Sequence, residues 1–146
     1  MLTFKEIKTR PVILKLKRPI KAKIAYIKEW PILLVDLYTN EGVIGRSYLQ
    51  PYIKKSLKYI SSIIDDFNEV LKNKELTPYD SFEQMRQSLH FVGYEGLSLT
   101  AVSGVDIAIW DALSKAANQP LCCYLGGTVG SVKAYNSNGL WLEECN

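Results

Sequence analysis

Hydrophobic and polar positions alternate along the first third of this chain and recur at helical spacing along the rest. Over residues 4–17, Ile7, Val12, Leu14 and Leu16 give a partial alternation that predicts a half-buried strand. Pro11 assigns that strand to a sheet edge or a bulge, because proline donates no ladder hydrogen bond. The stretch from Arg18 to Lys28 is basic and irregular in pattern. Pro31-Ile32-Leu33-Leu34-Val35-Asp36-Leu37-Tyr38 predicts a second strand, Thr39-Asn40-Glu41-Gly42 a turn, and Val43 to Leu49 the returning partner. An antiparallel three-stranded meander is expected.

From Pro51 the period changes. Ile53, Leu57, Ile60, Ile64, Phe67 and Leu71 recur at steps of three and four with Lys54, Lys55, Lys58, Asp65 and Asp66 between them, which predicts an amphipathic helix with proline near its first turn. A second helix is expected over Asp80 to His90, capped by Asp80 or Ser81 with Glu83 or Gln84 reciprocating. Gly93 and Gly96 interrupt the chain before a third helix, Leu97 to Ala117. Its Ala101, Val105, Ala108, Ala112, Leu113 and Ala116 form a small-residue face that lets neighbours approach closely. Asn118-Gln119-Pro120 and Gly126-Gly127 are breaks, and Val132 to Ser137 predicts one more short strand. Strands followed by helices place the chain in the α+β class.

Composition narrows the picture. The length of 146 residues with 47% hydrophobic content suits one domain with its own core. No window approaches the ~20 uninterrupted apolar residues of a membrane helix, and the first six residues lack a signal-peptide layout, so a cytoplasmic location is expected. Three cysteines, two of them the adjacent Cys122 and Cys123, do not make a disulfide framework. The net charge of +3 is uneven: residues 1–60 hold 13 Lys/Arg against 4 Asp/Glu, and residues 61–146 hold 5 against 11. Solvated surface lysines, a nucleic-acid face and attraction of a small anionic substrate all fit that bias, though no nucleic-acid motif accompanies it.

The residues alone offer no nucleophile–base pair, phosphate loop or ligand cluster. His90 is the one histidine of the sequence and reads as structural or surface. The adjacent carboxylates Asp65-Asp66 and Glu143-Glu144 point in different directions and cannot face each other as acid and base. Asp106 and Asp111 lie in an apolar helix, where a charge is costly unless paired, and a structural role is expected for both.

The third helix and its exit carry more information. Ala101-Val102-Ser103-Gly104-Val105-Asp106-Ile107-Ala108-Ile109-Trp110-Asp111-Ala112-Leu113-Ser114-Lys115, then Gln119-Pro120-Leu121 and Leu125-Gly126, resemble the N-terminal signature of the mandelate racemase/muconate lactonizing enzyme family of the enolase superfamily. Ser114 stands where that family usually has Gly or Ala, and Ile109 and Tyr124 also depart from its commonest pattern. Residues 31–37, 42–49 and Ala134-Tyr135-Asn136-Ser137 point further toward mandelate racemase, so the likeness covers nearly the whole chain.

The resemblance implies a capping domain over residues 1–128, a meander followed by a helical bundle, with residues 129–146 the first strand of a TIM-type barrel. In the family, magnesium and a base remove the proton α to a carboxylate, and the Lys-x-Lys motif, the acidic metal ligands and the catalytic histidine lie on barrel strands. Those would follow residue 146, so this chain is expected to be inactive alone, with no catalytic residue and no magnesium ligand of its own. Lys15-Leu16-Lys17 and Lys21-Ala22-Lys23 imitate the lysine motif from the wrong domain. The resemblance makes Pro19 to Trp30 a mobile lid presenting Ile20, Ile24 and Ile27 to the substrate, with Tyr52 in the pocket and Ser137 near the substrate carboxylate. The implied partner is a small carboxylate, a 2-hydroxy acid or an acid sugar, rather than nucleic acid or a membrane, and the full-length protein is expected to be a homo-oligomer. A free-standing interaction module using the basic N-terminal face is the alternative.

Overall fold

Strict alternation organises the sheet. In the computed structural model, which describes residues 1–22 and 25–136, Pro31, Leu33, Val35, Leu37 and Thr39 are buried while the residues between them are half-buried. They belong to β2 (Ala25–Thr39), which pairs antiparallel with β1 (Phe4–Ala22) on one side and β3 (Ile44–Leu49) on the other. β1 is an edge strand, so Pro11, opposite Leu33, costs no ladder bond with a further neighbour. Gly42 supplies the positive φ of 84° in the β2–β3 turn, and the buried Thr39 hydroxyl closes it through the Val43 amide and carbonyl, each at 3.0 Å.

Of the stretch expected to be irregular, Arg18 to Lys28, the described residues on either side instead prolong β1 to Ala22 and begin β2 at Ala25. Ile20, Lys21 and Ala22 pair with Ile27, Tyr26 and Ala25 after a register shift between Lys15 and Ile20. β1 there carries more residues than β2 faces, and Pro19 falls inside that bulge, where its missing N–H leaves no gap in a regular ladder.

Helices cover the core-facing side of the sheet. α1 (Lys54–Leu71) buries Leu57, Ile60, Ile64, Phe67 and Leu71, as their spacing predicts. It begins later than expected: Tyr52 adopts φ 47°, which places Pro51 before the helix and leaves Ile53 as an exposed cap residue. The Asn68 side chain joins α1 to the sheet edge, accepting from the Ile7 N–H at 2.7 Å and donating to the Ile7 carbonyl at 3.3 Å. It thus replaces the strand neighbour that β1 lacks. Asn68→Ala would leave that part-buried amide unmatched and is expected to cost about 1–3 kcal/mol in urea denaturation.

α2 (Pro78–Ser88) starts two residues before the expected point. Thr77 occupies the cap position and Pro78 the first turn, so the Asp80 or Ser81 cap is corrected. Asp80 accepts from the Thr77 hydroxyl at 3.0 Å within the first turn, Ser81 is buried, and Glu83 bonds Arg86 rather than the helix start.

α3 (Leu97–Ala116) is the central helix, burying Ala101, Val102, Gly104, Val105, Ala108, Ile109 and Ala112. Of its expected small face, Leu113 is only partly buried and Ala116 is exposed. It is long and apolar enough to cross a membrane by composition, yet half of that window is packed inside the fold. α4 (Leu121–Tyr124) is a single turn. No strand forms at Val132–Asn136, contrary to expectation: these residues are exposed and irregular. A barrel strand draws its hydrogen bonds from parallel neighbours, and no described segment supplies one.

Candidate functional site

Parity along β2 positions the site. Leu33, Val35 and Leu37 face the helices, so Pro31, Glu29 and Ile27 follow on the same side as the strand runs out beyond β3. Ile27, Glu29 and Pro31, together with Ile13 and Tyr26 of the ribbon and Tyr52 and Lys54 of the next loop, line a cleft of about 420 Å³. Lys54 closes one wall by pairing with Glu29 at 3.6 Å, and the Tyr52 ring meets Trp30 edge-on, with centroids 6.0 Å apart.

The structure therefore brings together two of the residues expected in a substrate site, Ile27 and Tyr52, and places Ile20 next to Ile27 as its cross-strand partner. Directly opposed residues of an antiparallel pair project to the same face. Tyr52 is 69% exposed, available to a ligand rather than used in the core. Ile24 and Ser137 lie outside the described residues. Glu29, Lys54, Ile13 and Pro31 were not anticipated. Extending the β2 alternation back through Pro31 would have found Glu29 and Ile27 on one face.

The cleft offers apolar walls, the phenols of Tyr26 and Tyr52, the Lys28 ammonium and the Glu29–Lys54 ion pair, with no nucleophile–base couple. Among the described residues no three His, Cys, Asp or Glu side chains group to hold a metal, so they do not fit a magnesium site. His90 is exposed and stacks edge-on with Phe91, while Cys122 and Cys123 are free thiols. Asp65 is pushed above its ordinary range by burial, then by Asp66 beside it. Asp111 has the structural role expected of it: it accepts the Arg46 N–H at 2.7 Å and Lys115 Nζ at 2.5 Å, tying α3 to β3.

Several N-terminal cations are also engaged locally. Lys8 pairs with Glu6, Arg10 and Arg46 converge on Asp36, and Lys28 and Lys58 lie over the Tyr26 and Tyr59 rings.

The model of the mandelate racemase/muconate lactonizing enzyme N-terminal domain matches residues 4–126. The chain belongs to this family. An enolase from the alpha proteobacterium bal199, solved with bound magnesium, is 56% identical, superposes with a TM-score of 0.93 and matches 98% of this chain and 39% of its own. A Bradyrhizobium enolase complexed with magnesium and mandelic acid is 36% identical, with a TM-score of 0.80 over 86% of this chain and 35% of its own. Arabinonate dehydratase of Saccharolobus solfataricus is 28% identical over 122 residues, which are 77% of this chain and 30% of that enzyme. The chain thus spans about a third of the length of the relatives it matches. The meander and three principal helices are this family's N-terminal capping domain, and Asp106, Trp110 and Asp111 lie on α3 within the matched residues.

Proposed function

We propose that this chain is the substrate-facing cap of a magnesium-dependent enzyme that removes the proton α to a carboxylate, acting as an acid-sugar dehydratase or a 2-hydroxy-acid racemase. The observation that carries the reading is the cleft at the root of the ribbon, where Ile27 and Tyr52 meet within a family N-terminal domain. Metal and base are assigned to polypeptide other than the described residues, which hold no ligand group. The cap's contribution is to exclude water with Ile20 and Ile27, and so strengthen electrostatic interactions at the reacting carbon. Tyr52 offers a hydroxyl that can donate to or accept from a substrate oxygen.

Within that reading the sugar acid is the better substrate. Arabinonate dehydratase is among the relatives, and in sequence the isoleucines between Pro19 and Trp30 alternate with Lys21, Lys23 and Lys28, residue types suited to polar substrates. A purely apolar ribbon would suit an aromatic 2-hydroxy acid.

The test joins residues 1–128 to the part of the bal199 relative that this chain does not match and assays magnesium-dependent turnover of sugar acids and of mandelate. The 146-residue chain alone is expected to show no turnover, and the chimera to dehydrate a sugar acid. Ile27→Ala and Tyr52→Phe in the chimera are expected to lower kcat/KM by about tenfold each, the scale of a lost apolar or hydrogen-bonding contact in a transition state. Turnover by the unfused chain would overturn the assignment as a cap. Unchanged kcat/KM in both variants would remove the cleft from the substrate site.

A further inference from the structure

A second concavity lies on the other side of the helical layer, independent of the ribbon cleft. α2 contributes Tyr79, Phe82 and Glu83 and α3 contributes Asp106 and Trp110, spaced three and four residues apart on their helices, and with Pro78 they line a groove of about 400 Å³. Its chemistry is one-sided: three aromatic rings and two carboxylates, with no basic residue in the lining.

The two carboxylates are in different situations. Glu83 is satisfied, since Arg86 bonds both of its oxygens at 3.0 to 3.2 Å. Asp106 forms no ion pair with any described residue. Its carboxyl is pushed up by burial, against a hydrogen bond from the Trp110 side chain that acts to lower it. A half-buried carboxylate beside aromatic rings, of which Tyr79 is exposed and Phe82 and Trp110 are half-buried, destabilises the domain unless a cation arrives to pair with it. The fold already shows which cation suits such surroundings: Arg86, bound to Glu83, lies with its guanidinium 5.1 Å from the Tyr94 ring centroid.

We propose that the α2–α3 groove receives an arginine side chain of a partner polypeptide, its guanidinium over the Trp110 and Tyr79 rings and paired with the Asp106 carboxylate. Arginine fits better than lysine because its planar guanidinium can stack on a ring and still present a fork of donors in plane to a carboxylate. A polypeptide fits better than a free small cation because the groove lies between two helices and Tyr79 of its lining is 82% exposed, leaving it accessible to a side chain from outside. Small-ligand sites enclose most of their ligand, whereas an open trough between two helices admits a side chain reaching in from a surface laid across them.

The experiment follows the Trp110 indole N–H of the 146-residue chain by NMR, the resonance being assigned by its loss in Trp110→Phe. A capped Gly-Arg-Gly peptide is titrated in, with Gly-citrulline-Gly, the same shape without the charge, and Gly-Lys-Gly as comparators. The arginine peptide is expected to shift the indole resonance saturably and to bind about tenfold more tightly than either comparator, the scale of a partly desolvated charge pair. Asp106→Asn keeps the oxygen that accepts from Trp110 and is expected to weaken the arginine peptide by a similar factor. Its Tm at neutral pH is expected to equal or exceed that of the parent. That last readout separates binding from folding: burial favours the protonated acid in the folded state, so the ionised form costs stability above the folded pKa, and the cost disappears as pH falls toward the unfolded value. Equal binding of the citrulline or lysine peptide would overturn the proposal. So would undiminished binding of the arginine peptide by Asp106→Asn, or an indole resonance that no peptide moves.

Discussion

Gly45→Ala is expected to destabilise the domain by about 3 kcal/mol or more, enough to leave little cooperative unfolding transition in a structure of ordinary marginal stability. Gly45 sits on β3 where α3 crosses the sheet. A Cβ placed there would stand 2.0 Å from the Ala108 carbonyl oxygen and 2.9 Å from the Ala112 Cβ. Neither obstacle is the tip of a flexible side chain. The methyl could enter only if α3 rose off the sheet, which would loosen the Ser47 hydroxyl bond to the Gly104 carbonyl at 2.6 Å and the Arg46–Asp111 bond beside it. Gly104→Ala is the control. The three atoms nearest its added Cβ all belong to the Leu49 side chain, the closest a terminal methyl at 2.7 Å rather than backbone, and alanine recovers about 1 kcal/mol of helix propensity over glycine. Thermal melts by circular dichroism compare the two. A Gly45→Ala melt within two or three degrees of the parent would show that the β3–α3 contact is looser than the structure places it.

This contact shows why parts of the fold were legible in the sequence. The small residues of the third helix announce a close approach, and Ala108 and Ala112 are buried against Gly45. The sequence could not say that Gly45 was the partner, because the meeting is between residues far apart in the chain. The α1 face and the β2 alternation were readable for a related reason: burial on one side imposes period 3.6 or 2 directly on the residues. The ribbon is not legible because the described side chains of Arg18 to Lys21 and Tyr26 to Lys28 are exposed or only half-buried. Its strands are held by backbone pairing, which leaves no hydrophobic period to read. Thr77 was passed over as a cap because Asp80 and Ser81 are also good capping types, and only the backbone geometry separates them. The strand expected from Val132 does not form over the described residues Val132–Asn136 for the opposite reason: their β-branched and aromatic side chains suit a strand, but a strand also needs neighbours.

Of the site, Ile27 and Tyr52 were reachable only through the family signature, since an isoleucine in a ribbon and a tyrosine in a loop carry no chemistry of their own. The groove between α2 and α3 lay in plain view as Asp106-x-x-x-Trp110. Its two halves come from different helices, however, and Tyr79 and Phe82 acquire their meaning only when α2 is laid against α3. Asp106 and Asp111 received the same expectation from the sequence. The structure separates them by what stands opposite: a backbone amide and a lysine for Asp111, aromatic rings for Asp106.

Phe67→Ala is expected to rank with Gly45→Ala, at about 3–5 kcal/mol, but through a different physical cause. Phe67 is fully buried, one turn from Ile64 and Leu71 on the face that α1 presents to the core, beside the equally buried Phe4 and Leu33 in the same cluster. Truncation removes a whole ring from water-free surroundings and leaves a void. The cluster around it cannot close that void cheaply, because α1 is fixed at its sheet edge by Asn68, the very next residue. Gly45→Ala adds volume where none is available, and Phe67→Ala removes volume where none can flow in. The two therefore respond oppositely to size: Phe67→Leu should recover a large part of the loss, whereas Gly45→Ser should be no better than Gly45→Ala. Urea denaturation followed at several wavelengths gives the midpoints, with the slope expected to stay close to that of the parent for Phe67→Leu. A loss below about 1 kcal/mol for Phe67→Ala would mean that the site collapses freely, and that the α1–sheet contact is not the rigid centre on which the cap is built.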